Sequence, residues 1–231
     1  MKKVFSVILT ALLILSVISV SAEKVGTSWV NDFSSKWAVN DNGSVSTVKA
    51  SNSSRLDYAI AFNNKEKYDD NFEVEVDVQL VYDADFVTVT LNAGSVSPFT
   101  GTMIKVDGTN GLTVNDIDTK VTVAPQYGGK NALAGYDASK DFQHLKIKKE
   151  NGKVSVWFNG IASIEGQEVK NCDKSGMIVL GAEIHGDKTV TFKNFKFTKD
   201  GKTTEEFKVA GDNTSVSSAP ASSTPASSAP A

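Results

Sequence analysis

Hydrophobic side chains recur at every second position through most of this chain, the period of a half-buried strand. Phe72, Val74, Val76, Val78 and Leu80 alternate with Glu73, Glu75, Asp77 and Gln79. Leu56, Tyr58, Ile60 and Phe62 share one parity of LDYAIAF, and Val87, Val89 and Leu91 share one of FVTVTL. TMIKV and GLTVND predict a pair turning near Gly108; TKVTV, HLKIK, KVSVWF, GMIVLGAE and VTFKNFKF follow. In the last of these, Val190 and Phe192 lie on one parity and Phe195 and Phe197 on the other. A bulge at Lys193-Asn194 would bring all four to one face. Only WVNDFSSKW, with Trp29, Phe33 and Trp37 four apart, has the spacing of a short helix. Ten or eleven short strands with polar turns predict an all-β fold, an antiparallel β-sandwich.

One turn is readable in detail. Asn151-Gly152 sits between two alternating runs, a strong signal for a two-residue hairpin loop. That loop sets Ile147 opposite Val156 and Leu145 opposite Phe158 on one face. On the other it sets Lys146 opposite Trp157, Lys148 opposite Ser155 and His144 opposite Asn159. Trp157 therefore stands among polar side chains, where an indole needs a reason.

The ends of the chain are of different composition. Residues 1–22 carry Lys2 and Lys3, an apolar stretch and then Val20-Ser21-Ala22, the pattern of a cleaved secretory signal peptide. The end, SSAPASSTPASSAPA, repeats a five-residue unit with Pro220, Pro225 and Pro230 in step. Such a composition cannot bury enough surface to order itself and reads as an extended linker to other modules. The chain thus divides into a signal peptide (1–22), a β-sandwich domain (23–210) and a Ser/Ala/Pro-rich linker (211–231). Its place is extracellular: secreted, with cell-surface association the other expectation. No later segment is apolar enough to cross a bilayer. The 231 residues carry 24 Lys and Arg against 27 Asp and Glu, and the signal peptide takes two of the lysines, leaving 22 − 27 = −5. That acidity argues against nucleic acid and anionic membrane surfaces as partners. Cys172 is the single cysteine, so no intramolecular disulfide forms.

NFEVEVDVQL, the hairpin FQHLKIKKENGKVSVWFNG and the late pair GMIVLGAE and VTFKNFKF resemble the concanavalin A-like β-sandwich superfamily, in particular laminin-G-like modules and the 3-keto-disaccharide hydrolase domain family. The resemblance spans most of residues 27–198. It implies a curved jelly roll, commonly secreted and commonly devoted to glycans, and it carries over no catalytic residue.

The acidic stripe Glu73, Glu75, Asp77 departs from the Glu-x-Asp-x-Glu strand of related glucanases at its middle and last positions. On a regular strand its first and third members are about 13 Å apart, whereas a retaining pair needs carboxyls at about 5–5.5 Å. The stripe reads as solvated carboxylates on an outward sheet face, a pattern that also discourages edge pairing. His144 and His185 come with no nucleophile or metal motif; the first is expected on the outer face of the hairpin and the second in a turn. Calcium suits the loop carboxylates Asp69-Asp70, Asp83/Asp85 and Asp116/Asp118, and no spacing singles out one set. Sugars stack their C–H faces on flat rings beside polar groups. Trp157 with Lys146, His144 and Asn159 makes such a platform, and the loop bearing Tyr127 and Tyr136 can overhang it. The alternative for Trp157 is cover by a crossing loop or by the Lys146 stem; Trp29 and Trp37 read as core or edge packing.

These readings converge on a secreted carbohydrate-binding module with a polysaccharide or glycan partner and no catalytic residue. A glycoside hydrolase or 3-keto-glycoside-cleaving enzyme of the same fold is the second reading. A structural surface domain without a sugar ligand is the third.

Overall fold

A computed structural model describes residues 29–30, 37–40, 43–48, 56–62, 71–79, 86–94, 100–108, 111–116, 121–125, 129–170, 176–184, 188–205 and 207. Fifteen strands are described: β1 (Trp29–Val30), β2 (Trp37–Val39), β3 (Val45–Thr47), β4 (Leu56–Phe62), β5 (Phe72–Val78), β6 (Phe86–Ala93), β7 (Thr102–Asp107), β8 (Gly111–Asp116), β9 (Val121–Pro125), β10 (Gln143–Glu150), β11 (Lys153–Phe158), β12 (Ile161–Glu168), β13 (Met177–Ile184), β14 (Thr191–Lys199) and β15 (Lys202–Glu205). One 3-10 turn, Lys130–Ala132, is the helical piece among the described residues. The strands build two sheets, ordered β1-β4-β13-β6-β7-β8-β9 and β12-β11-β10-β5-β14-β3-β2, with β15 added beside β14. Every described pairing is antiparallel. The result is the antiparallel sandwich that the alternation predicts, in the jelly-roll form that the resemblance implies.

Strand β5 shows why. Its burial alternates without a break, Phe72, Val74, Val76 and Val78 inward and Glu73, Glu75 and Asp77 outward. Leu145 and Ile147 of β10 and Val154, Val156 and Phe158 of β11 continue the same inner face. Against them pack Ile60 and Phe62 of β4, Val87, Val89 and Leu91 of β6, and Ile178, Leu180, Ala182 and Ile184 of β13, in one continuous core. The bulge in β14 is present: its register against β5 breaks between Lys193 and Lys196, and Asn194 adopts φ 54°. Val190, Phe192, Phe195 and Phe197 are accordingly all buried.

Three expectations change. Trp29 and Trp37 lie in strands rather than at the ends of a short helix; residues 31–36 between them are outside the described set. Trp37 is 2 % exposed and packs on Phe192 at 5.8 Å between ring centroids. β5 has no edge to guard: β10 and β14 flank it on both sides. The strand count exceeds ten or eleven because β1, β2, β3, β12 and β15 are short or do not alternate. Two of these extra strands close on tight turns. Asn159-Gly160 joins β11 to β12 and Asp200-Gly201 joins β14 to β15, each with both φ angles positive, as at Asn151-Gly152. Positive φ at both central residues marks the type I′ hairpin, whose twist matches that of the strands.

The two sheets differ on their outer sides. Both faces of β6 and β13 are buried: Thr88, Thr90, Val179 and Glu183, which face away from the core, are at most 5 % exposed. The outer face of the eight-stranded sheet is half-exposed along β5, β10 and β11. The seven-stranded sheet shows the same half-exposed alternation along β7 and β8, so the face that carries Trp157 is one of two partly open outer surfaces.

Candidate functional site

The Asn151-Gly152 hairpin has the register expected of it. Lys146 pairs with Trp157 and Lys148 with Ser155, while Leu145 pairs with Phe158 and Ile147 with Val156. His144 and Asn159 complete the ladder, the Asn159 N–H donating to the His144 carbonyl at 2.8 Å. Because β5, β14 and β15 continue the pairing, the outer face is a grid of rows running across the strands. One row is Trp157, Lys146, Glu75 and Lys196; the next is Ser155, Lys148, Glu73, Thr198 and Thr203. A third holds Asn159, His144, Asp77 and Lys193.

Acids in the middle strand meet bases from β10 on one side and the Asn194 amide of β14 on the other, and the contacts interlock. Lys146 Nζ lies 2.7 Å from Glu73 and 3.7 Å from Glu75. His144 places Nδ1 2.8 Å from Asp77 and Nε2 3.6 Å from Glu75. Asn194, held at the bulge, donates its amide to the other Asp77 oxygen at 2.6 Å. Lys148 pairs with Glu150 at 2.9 Å, and Lys193 sits 3.8 Å above the Phe142 ring. The stripe read as solvated is thus a braced network. Its members hold one another in place, so a ligand would find donors and acceptors already ordered.

Pairing shows in the Lys146 amine. The Glu73 hydrogen bond raises its pKa above the ordinary 10.5, partial burial opposes this, and the Glu73 and Glu75 charges add to the rise. A group whose folded pKa is raised stabilises the fold fully below its unfolded pKa, and that contribution disappears as pH rises through the folded value. The urea midpoint of the wild-type domain should therefore fall more steeply above pH 10.5 than that of Lys146→Met. The difference is expected to be small, because the Lys146 side chain is 34 % exposed. Parallel alkaline limbs would contradict it.

Trp157 is half-buried on this open face, beside Lys146 on one side and Ala162 of β12 on the other. The Lys146 amine turns to β5 and is taken by Glu73. His144 stands in the grid, its side chain 42 % exposed. Asn159 belongs to the frame: its amide donates to the Gly135 carbonyl (2.8 Å) and to Gln143 Oε1 (2.9 Å), and its oxygen accepts the His144 N–H (3.1 Å). Tyr136 packs against the hydrophobic core at the base of the same loop. Tyr127 and His185 lie outside the described residues.

Gln143 carries no sequence signal beyond its parity with Leu145 and Ile147, yet it is the hub of this frame. It is 1 % exposed and fully engaged: Nε2 donates to the Asp137 and Lys140 carbonyls, and Oε1 accepts from Asp137 N and Asn159. Its amide ties the loop before β10 to the tip of the β11–β12 hairpin. A second missed residue, Lys149, points into the sandwich at 0 % exposure, its amine bonded to the Asn92 side chain and 5.9 Å from the Phe72 ring.

Of the aspartates suited to calcium, Asp116 is fully buried and committed elsewhere, accepting from Thr102 Oγ1 and Lys170 N. Asp69, Asp70, Asp83, Asp85 and Asp118 lie outside the described residues. Among the described residues no three His, Cys, Asp or Glu side chains are grouped to hold a metal ion. No described helix is long and apolar enough to cross a membrane.

No family model matches the sequence, and no curated protein matches it. Solved structures do match the fold. The carbohydrate-binding module CBM66 of Bacillus subtilis aligns over 75 % of this chain and 96 % of its own, at 15 % identity and a TM-score of 0.53. The β-glucanase of Bacillus licheniformis aligns over 77 % and 96 %, at 10 % identity and 0.54. A Bacillus subtilis protein of unknown function with a galectin-like fold aligns over 76 % and 93 %, at 9 % identity and 0.50.

Proposed function

We propose, from the premise that the fold is that of the concanavalin A-like β-sandwich superfamily, that this protein is a secreted, non-catalytic carbohydrate-binding module. Its binding face is the outer side of the eight-stranded sheet. The observation that carries the reading is the half-exposed Trp157 on a face whose charged groups are already braced by one another. An indole offers a flat apolar ring for sugar C–H groups. The surrounding carboxylates, amine and imidazole offer hydrogen bonds to hydroxyls without a fresh ordering cost.

Two of the similar structures are by name a carbohydrate-binding module and a β-glucanase, which supports a sugar ligand. Binding is preferred to hydrolysis because Glu73 is committed to Lys146, Asp77 to His144 and Asn194, and Glu75 lies between Lys146 and His144. The signal-peptide pattern supports an extracellular place of work, and the Ser/Ala/Pro repeat supports attachment to other modules, which would raise avidity. Calcium bound by the loop aspartates outside the described set would be a structural addition to this module, visible as a chelator-sensitive melting temperature.

Affinity electrophoresis in gels containing polysaccharides tests the proposal. A retarded wild type and a Trp157→Ala protein about 30-fold weaker, the loss of a hot-spot residue worth about 2 kcal/mol, with unchanged thermal unfolding, is the expected result. Equal retardation of both proteins would remove Trp157 from the site. Release of shorter products from the retarding glycan would replace binding with hydrolysis.

A further inference from the structure

The grid does not end flat. Beside its Ser155–Lys148–Glu73–Thr198 row lies a cleft of about 170 Å³, lined by Asn71, Phe72, Glu73, Lys148, Lys149, Thr198 and the Asp200-Gly201 turn. Its position follows from local structure. Asn71 precedes β5 and accepts the Asn151 N–H at 3.2 Å, which brings the start of β5 against the tip of the β10–β11 hairpin. The β14–β15 turn closes the other side, with Thr198 and Thr203 hydroxyls 2.9 Å apart across the pair.

Resting on the sugar-binding reading of the same face, we infer that this cleft is a second subsite for one sugar ring, and that the ligand is a neutral oligosaccharide long enough to lie on Trp157 and enter the cleft together. Size is the first support. A closed cavity of about 150 Å³ takes a benzene ring, so an open cleft of 170 Å³ receives the edge of one sugar ring, with the rest in solvent, and no more. Distance is the second. The cleft lies two strands and one two-residue step from Trp157, about 12 Å on the diagonal, the reach of about three rings in file.

Charge sets the class. Glu73 and Asp200 line the cleft together with Lys148 and Lys149, and both of these bases are already engaged, Lys148 by Glu150 and the buried Lys149 by Asn92, as Lys146 is by Glu73 and Lys193 over Phe142. A uronate or sulfate ring would meet carboxylates and would have to displace an ion pair to find a cation. A hydroxyl donates to Glu73 or Asp200 and accepts from Lys148, whose ammonium has three donors.

Calorimetric titration of the mature protein decides it, with ladders of one to five units of β-glucan, mannan, xylan and fructan oligosaccharides and a matching oligogalacturonate ladder. The wild type should bind one neutral ladder, gaining about tenfold or more, the equivalent of 1.4 kcal/mol, as length passes from two to three or four units. Thr198→Met, which fills the cleft, should lose that gain while keeping the affinity for short members, and Trp157→Ala should weaken every length. Asp200→Gly, compatible with the positive φ of the turn, provides the same readout should the methionine disturb folding. Affinity independent of length, a gain retained in both cleft variants, or preference for oligogalacturonate overturns the subsite and leaves the Trp157 site standing. Failure of every ladder to bind the wild type overturns both.

Discussion

Phe62→Ala should lower the unfolding free energy by about 3–5 kcal/mol, the cost of emptying a large aromatic site in a packed core. Phe62 projects from β4 of the seven-stranded sheet and is 1 % exposed. It meets Phe195 at 5.3 Å and Phe197 at 5.7 Å, both from β14 of the opposite sheet. The file continues from Phe197 to Phe72 at 5.6 Å and from Phe195 to Phe207 at 5.7 Å. Phe62 is thus the place where one sheet inserts into the aromatic layer of the other. Tilted rings at these separations contribute about 0.5–1.5 kcal/mol per pair beyond the area they bury. A domain of this size has about 5–15 kcal/mol in total, so the variant should melt about 6–20 °C below wild type. Phe207→Ala should cost less, since its site is 8 % exposed and opens toward solvent. Urea unfolding measures both; a loss below about 1 kcal/mol at Phe62 would mean that the sheets do not close on this ring.

The same phenylalanines show what could be read before any coordinates. Period two in β5 and β14 set inward and outward residues with no ambiguity, and the phase change at Lys193-Asn194 marked the bulge. A two-residue loop at Asn151-Gly152 then fixed the hairpin register, since a one-residue slip would turn Ile147 and Val156 out of the core. Trp157 followed from that register alone. What stayed hidden depends on partners distant in sequence. Glu73, Glu75 and Asp77 looked like a solvated face because nothing local places Lys146, His144 and Asn194 against them; β10 and β14 arrive from 67 to 117 residues away. The β12 strand, IASIEGQE, hides because its burial does not alternate and its register shifts against β11. Its Asn159-Gly160 turn went unread, as did Asp200-Gly201, although each repeats the Asx-Gly pair of the Asn151-Gly152 loop. Gln143 and Lys149 defy composition: a buried amide and a buried amine are legible only when their acceptors are in place.

Gly135→Ala should cost more than Gly160→Ala, although both glycines have positive φ, 78° and 85°. An alanine at either position bears the strain of that conformation, about 1 kcal/mol. At Gly160 a Cβ would meet nothing within 4 Å, so the cost stops there. At Gly135 it would lie 2.1 Å from the Phe158 carbonyl oxygen and 2.9 Å from Ile161 Cβ, and the first of these is backbone that cannot rotate away. The loop carrying Gly135 must lift from the β11–β12 hairpin. Lifting breaks the bond from Asn159 to the Gly135 carbonyl and loosens Gln143, which is bonded to the same amide. A total of about 2–4 kcal/mol is expected, in the range of backbone strain combined with loss of a buried polar network. Hydrogen exchange should localise the damage: the amides of His144 and Asn159, which bond to each other's residues, should lose protection before those of β5. Because these residues are the ladder rung next to Trp157 and Lys146, glycan affinity should fall in Gly135→Ala and hold in Gly160→Ala. Equal stability of the two variants would show that the loop does not brace the hairpin. Equal affinity despite unequal stability would show that the platform needs no such brace.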